Sequence, residues 1–237
     1  MEKLKTYLEK YNEAKILDIG TEKGSFISLI DYIYQDYSEI VGIDIVDYIS
    51  EMNSEAIKKN PRVKYFEEDI LNTNFNPGSF DIVCLSNSIH HFADIPNTIA
   101  NIVDMVKESG ILIISEQISD NLDAKQMSHK LLHHFEAKID RYLGRIHQQT
   151  FSEARLLELL ENETILKIKD YWRLDNKKSK QEDLDINRYL ERIDSLLEVV
   201  KDSKDYEDYL MEATELKAYL QKNGFALAEK LIVIATK

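Results

Sequence analysis

A single cysteine, Cys84, is the scarcest resource of this 237-residue chain. It excludes intrachain disulfides and paired-thiol metal sites, and it points to a reducing, cytoplasmic setting. No run of apolar residues is long enough to cross a bilayer, and the opening MEKLKTYLEK is charged and amphipathic, unlike a secretory leader. A membrane partner is not expected. Positive charge is also short. Lys and Arg number 30 against 43 Asp and Glu, a net charge of −13, whereas duplex binding begins by neutralising phosphates. Nucleic acid is therefore not expected as a partner, and a small molecule or another protein is. Internal repeats and low-complexity tracts are absent too. What the chain does have is a 43% apolar fraction, enough for a normal core in one large domain or in one domain with an appendage.

Short apolar runs alternate with helical patterns in the first half. Lys15–Ile19, Ile40–Ile45, Val63–Phe66, Phe80–Ser86 and Ile111–Glu116 have the composition of strands buried on both faces. Between them, Ser25–Tyr37, Ile49–Asn60 and Asp94–Lys107 space their apolar residues as helices do, with Pro96 suited to a first turn and Gly110 to a helix exit. That alternation predicts right-handed crossovers and a doubly wound parallel sheet covered on both sides. After Glu116 the texture changes. Residues 121–148 form a long helical stretch, Ser152 caps a helix over EARLLELLEN, and Thr164–Trp172 reads as a sixth strand. Apolar seams at Tyr189, Ile193, Leu196 and Val200, then at Tyr206, Tyr209, Ala213, Leu216 and Leu220, predict an antiparallel helical hairpin. Gly224 ends it, and FALAEKLIVIATK returns to strand.

The stretch ILDIGTEKGSF, residues 16–26, has the form of a strand, a glycine-bounded turn and a helix. A dinucleotide loop would need glycines at 20, 22 and 25, but the chain has Gly20, Glu22 and Ser25. A pyrophosphate beside Glu22 would meet a like charge. No Gly-Lys-Ser/Thr follows the strand either, which excludes a phosphate loop. S-adenosylmethionine carries no phosphate and has a cationic sulfonium, so an acidic turn suits it. Glu22 is expected at negative φ, pointing to solvent.

With these residues the chain resembles the class I S-adenosylmethionine-dependent methyltransferases, over roughly residues 14–117 and the last two strands. LDIGTEKG matches the family's first motif at Asp18, Gly20 and Gly24, departing at Glu22; VGIDI matches the second strand. The resemblance implies a Rossmann-like seven-stranded sheet with the last strand antiparallel, and S-adenosylmethionine as cofactor. It further implies that Asp44 and Ile45 border the ribose, since a carboxylate accepts two hydrogen bonds from a vicinal diol. FEEDI resembles the adenine motif, with Asp69 near the exocyclic amine and the Ile70 amide near the ring. FDIVCLSNSIHHF resembles the fourth strand and active-site loop, Ser86 closing the strand on the cofactor side, and GILIISE the fifth strand.

The acceptor side is read from the loop SNSIHHF and from six histidines, all between 90 and 147. The Asn/Asp-Pro-Pro-aromatic signature of base-amine methylation is absent, so a small-molecule acceptor is expected. Wound at about 100° per residue, 127–147 gives an apolar sector bordered by a stripe of His129, His133, Glu136, Asp140 and His147, with His134 solvated on the far side. His91, His133, His129 and Asp140 are the candidate catalytic residues, His91 as the first choice of base. The stripe is also compatible with a divalent metal completed by a loop histidine, or with a hydrogen-bonded pocket edge; the sequence leaves both open, and names no metal ligands. The expected organisation is a core over 1–117, a helical lid insertion over 118–150, further core over 151–173 and 224–237, and the hairpin over 174–223. That hairpin would serve as a lid or a dimer contact, in a monomer or homodimer. A non-catalytic binder of the same cofactor is the alternative of a different class.

Overall fold

The computed structural model of the protein describes residues 1–48, 51, 54–174 and 185–237. The chain forms two compact units, one of 1–116, 157–172 and 231–237, the other of 117–156 and 173–230. The first is built on a seven-stranded mixed sheet of order β3-β2-β1-β4-β5-β7-β6, the last strand in sequence running antiparallel as expected. Its strands are β1 (Ala14–Ile19), β2 (Tyr37–Asp44), β3 (Val63–Glu67), β4 (Phe80–Ser86), β5 (Val106–Gln117), β6 (Lys167–Leu174) and β7 (Lys230–Thr236). The pairs β1–β2, β1–β4, β2–β3 and β4–β5 are parallel. Helices α1 (Glu2–Leu8), α2 (Ser25–Ile33), α3 (Glu55–Lys58), α4 (Ile95–Met105) and α6 (Glu153–Asn162) complete the layer pattern. The central strands are almost wholly buried, Cys84 included.

Three expectations need correction. β3 is not buried on both faces: only Val63 is covered, because this strand ends the sheet. α4 stops at Met105, and Gly110 lies inside β5, where a Cβ would crowd the Asp81 carbonyl. Its role is close backbone approach at the irregular start of the β4–β5 ladder, not a helix exit. The helix expected over 49–60 falls partly outside the described residues, and what is described is the single turn α3, capped by Ser54. Trp172 stacks on Tyr7 with centroids 6.1 Å apart, so that strand end packs against α1.

In the second unit, α5 (Ala124–Tyr142) begins with a reciprocal capping box between Asp123 and Gln126. It packs with the hairpin α7 (Ile186–Val199) and α8 (Tyr206–Asn223) around Leu132, Phe135, Ile193, Leu216 and Leu220, all buried. The two seams expected from spacing are therefore the faces that meet. No helix among the described residues is long and apolar enough to cross a membrane.

Candidate active site

Within the first unit, the carboxyl ends of β1, β2 and β4 carry the polar groups. After β1 the chain turns at Gly20 (φ 68) and enters α2 through Gly24 (φ 74), both in the left-handed region that glycine adopts at no steric cost. The N–H groups of Gly20 and Thr21 both donate to the Ile43 carbonyl, which ties the turn to β2. Asp18 is buried at 1% exposure, and its Oδ2 accepts from Thr21 Oγ1 at 2.6 Å. Glu22 contradicts its expected backbone: φ is 44, while the side chain is exposed as anticipated. The turn needs the left-handed conformation here whatever the residue, at a cost of roughly 1–2 kcal/mol for a side chain with a Cβ. The conformation has a purpose, because it aims the Glu22 N–H at Asp44 Oδ2, 2.9 Å away.

Asp44 ends β2, and its other oxygen accepts from the Val46 N–H at 3.1 Å. Each carboxylate oxygen thus has one backbone donor and keeps further acceptor capacity. Asp44 borders a narrow crevice together with Thr21, Glu22, Tyr48, Tyr65 and Phe66. Apolar side chains stand exposed at the same edge: Ile45 at 71%, Phe66 at 47% and Leu71 at 53%. Asp69 receives the Leu71 N–H and the Asn72 amide at 2.9 and 2.8 Å, so the adenine-motif acid is held in a tight turn while Ile70 is buried.

β4 ends at Ser86, and Asn87 (φ 53) reverses the chain into a 3-10 turn over Ile89–His91. His91, the first choice of base, is exposed, whereas His90 is buried with its ring 4.3 Å from that of His91. Ser88 Oγ donates to the Ile19 carbonyl at 3.0 Å, and a Cβ on Gly20 would run into that hydroxyl. The histidine turn is therefore seated directly against the first-motif turn. Sequence reasoning missed Glu116, whose carboxylate receives the Ser88 and Ile89 N–H groups. Its only sequence signal was a charged residue closing an apolar strand.

In the second unit the helical stripe is only partly realised. α5 ends at Tyr142, Gly144 (φ 78) reverses the chain, and His147 returns from the loop. His147 Nδ1 lies 2.7 Å from Asp140 Oδ2, and its Nε2 lies 3.3 Å from His133 Nε2. Burial raises the Asp140 carboxyl, but hydrogen bonds from His147 and Arg145 outweigh it and hold the group below the usual range. Glu136 is turned to Arg192 at 2.8 Å. His129 accepts the Ala228 N–H on Nδ1 at 2.9 Å and packs edge-on against Phe225, a structural task that occupies its proton-accepting nitrogen. Burial, then Lys230, pushes its pKa down to about 4. His134 is not solvated as expected. It meets Thr150 Oγ1 at 2.8 Å, and burial followed by Lys130, Arg141 and His147 lowers its pKa to about 4.

Comparison with known proteins agrees with this fold. A family model described as a methyltransferase domain matches residues 1–163. A highly reducing polyketide synthase from Alternaria alternata is 28% identical over 119 residues, 48% of this chain, though the match spans only 5% of that much longer protein. A solved S-adenosylmethionine-dependent methyltransferase from Thiobacillus denitrificans, in complex with S-adenosyl-L-homocysteine, shares the fold at TM-score 0.58 and 13% identity, covering 99% of this chain and 89% of that one. The 1,6-didemethyltoxoflavin-N1-methyltransferase of Burkholderia thailandensis does so at TM-score 0.55 and 15% identity, covering 98% and 76%. The chain belongs to the methyltransferase domain family, with the Rossmann-like fold of the class I S-adenosylmethionine-dependent enzymes.

Proposed function

We propose that this chain transfers a methyl group from S-adenosylmethionine to a small-molecule acceptor. The observation that carries the donor half is Asp44, a half-buried carboxylate at the end of β2, oriented by the Glu22 and Val46 N–H groups with acceptor capacity to spare. Two vicinal hydroxyls are the natural match for such a group. Ile45, Phe66 and Leu71 offer the exposed apolar surface an adenine ring needs, with Asp69 and Ile70 beside them. Asp18, Gly20, Gly24 and Ser86 are assigned to the methionine end. When bound, the donor supplies an activated methyl on a cationic sulphur, and the protein's share is alignment, exclusion of water and removal of the acceptor's proton. The 3-10 turn Ile89–His91 is assigned that last task.

A small molecule is the acceptor class favoured by the excess of negative charge and by SNSIHHF in place of a base-amine signature. The Burkholderia enzyme of the same fold was crystallised with a small heterocycle, which is compatible with that choice. Calorimetry with S-adenosylmethionine tests the donor: saturable heat is expected, and none at millimolar ligand would overturn the reading. A panel of phenols, thiols, amines and activated carbon acids, with S-adenosylhomocysteine release as the signal, tests the acceptor class. Turnover on a protein or RNA with none on the panel would replace it.

A further inference from the structure

Glu116 lies next to the end of β5 at 1% exposure. A carboxylate removed from water to that extent needs donors on both oxygens. Oε1 takes two, the N–H groups of Ser88 at 2.7 Å and of Ile89 at 2.9 Å. Oε2 lies 3.0 Å from Nδ1 of His90, itself only 3% exposed. A carboxylate oxygen cannot donate, so the ring nitrogen facing it must carry the hydrogen. The other nitrogen, Nε2, is then the one with the in-plane lone pair. One side chain thus closes the start of the 3-10 turn and selects the tautomer of the histidine that the turn presents. Holding the turn alone would need only a neutral acceptor for two N–H groups. The third contact goes to the imidazole.

Resting on the methyl-transfer reading, we propose that Glu116 is a positioning residue that fixes His90, not His91, as the proton-accepting histidine, with Nε2 as the working atom. Two contacts tie this turn to the donor side of the same unit, Ser88 Oγ on the Ile19 carbonyl and Ser88 against Gly20, while the Asn87 N–H on the Ser115 carbonyl anchors it to β5. His91 is exposed, whereas His90 is buried against the Glu116 carboxylate. In the transfer step the acceptor's lone pair forms the new bond to the methyl carbon. The sulfonium S–C bond breaks with its electron pair going to sulphur, and the acceptor's proton passes to His90 Nε2. The resulting imidazolium stays bonded through Nδ1 to the Glu116 carboxylate, which stabilises its charge.

Glu116→Gln separates the two duties. Its side-chain carbonyl still accepts from Ser88 and Ile89, while its amide now donates toward His90 Nδ1 and forces the hydrogen onto Nε2. Long-range proton–nitrogen spectra of histidine-labelled full-length protein should show Nδ1–H at His90 in the wild type and Nε2–H in the variant. Calorimetric affinity for S-adenosylmethionine should stay within about threefold, because no donor contact is touched. Turnover of an acceptor from the panel should fall on the order of 100-fold or more, with the donor KM little changed. An Nε2–H tautomer in the wild type, or an inverted tautomer with turnover intact, would overturn the proposal. If Glu116→Gln does not fold, His90→Asn decides: its amide can still donate to Glu116 but offers no basic nitrogen, and wild-type turnover would again overturn it. Absence of any S-adenosylmethionine binding to the wild type would instead strike the donor reading, with the tautomer still measurable.

Discussion

The carboxylates at the strand ends of the candidate site and those of the second unit's ion pairs are held in different ways. At the strand ends of the candidate site, backbone amides make most of the contacts: Asp44 takes the Glu22 and Val46 N–H groups, Asp69 takes the Leu71 N–H beside the Asn72 side chain, and Glu116 takes the Ser88 and Ile89 N–H groups beside His90. In the ion pairs of the second unit, other side chains do it. Asp140 meets His147 and Arg145, Glu136 meets Arg192, Glu212 meets Lys138, and Arg173 gathers Asp120, Glu153 and Glu229. A backbone-held carboxylate is fixed by strand register and loop geometry, the rigidity that ligand recognition requires. A carboxylate held by long cations orders flexible side chains instead, and at exposed positions contributes little stability. The candidate site thus rests on backbone-held acids, and the second unit buries an apolar helical seam.

The sharpest way to break this contrast is to empty that seam. Phe135→Ala removes a fully buried ring from the α5–α7–α8 cluster and is expected to cost about 3–5 kcal/mol in denaturant titration, whereas Arg192→Ala, which frees Glu136, should cost less than about 1 kcal/mol. Comparable losses would mean that ion pairs carry the unit. Next in size is Asp44→Ala, expected to weaken S-adenosylmethionine by about 2–4 kcal/mol, or roughly 30- to 1000-fold in calorimetry, from lost charge-assisted hydrogen bonds. Unchanged affinity would remove the donor site from the β2 edge.

Acid sensitivity should reside in the second unit. His129 and His134 sit at about 4 in the fold against about 6.5 in an unfolded chain. Between those values the unfolded chain binds protons that the fold refuses. Their stabilising contribution is thus complete above about pH 6.5 and is lost as pH falls toward 4. Denaturant midpoints measured across that range should decline, and His129→Asn, whose carbonyl can still accept from Ala228, should flatten part of the slope. The smallest effect is expected at Glu22, where glycine relieves the positive φ and should raise stability by about 0.5–1 kcal/mol. A loss there would mean that the carboxylate itself is needed.

The same contrast explains what the sequence revealed. Strand runs, the Gly20–Gly24 turn and the acids at 44 and 69 are local features: a few consecutive residues determine both the backbone shape and the group it presents. The hairpin seams were legible for the same reason, through their spacing. What escaped were pairings set by chain reversal. His134 meets Thr150 because the helix stops at Tyr142 and the chain reverses at Gly144, which covers a side chain that a continued helix would have left in solvent. Glu116 and His90 are 26 residues apart, and only the parallel register of β4 and β5 brings them together. Glu22 was misjudged because residue preference favoured negative φ while the turn's hydrogen bond to Asp44 required the opposite.

The place of β7 between β5 and β6 has a consequence for how the protein is made. Of the seven strands described, the last in sequence is an interior one, flanked by partners that precede it in the chain. Until it docks, β5 presents an open ladder edge and β6 has no neighbour in the sheet, so a chain made only as far as β6 carries an unpaired seam. Shielding by chaperones, or rapid closure after release, is therefore part of what this topology demands.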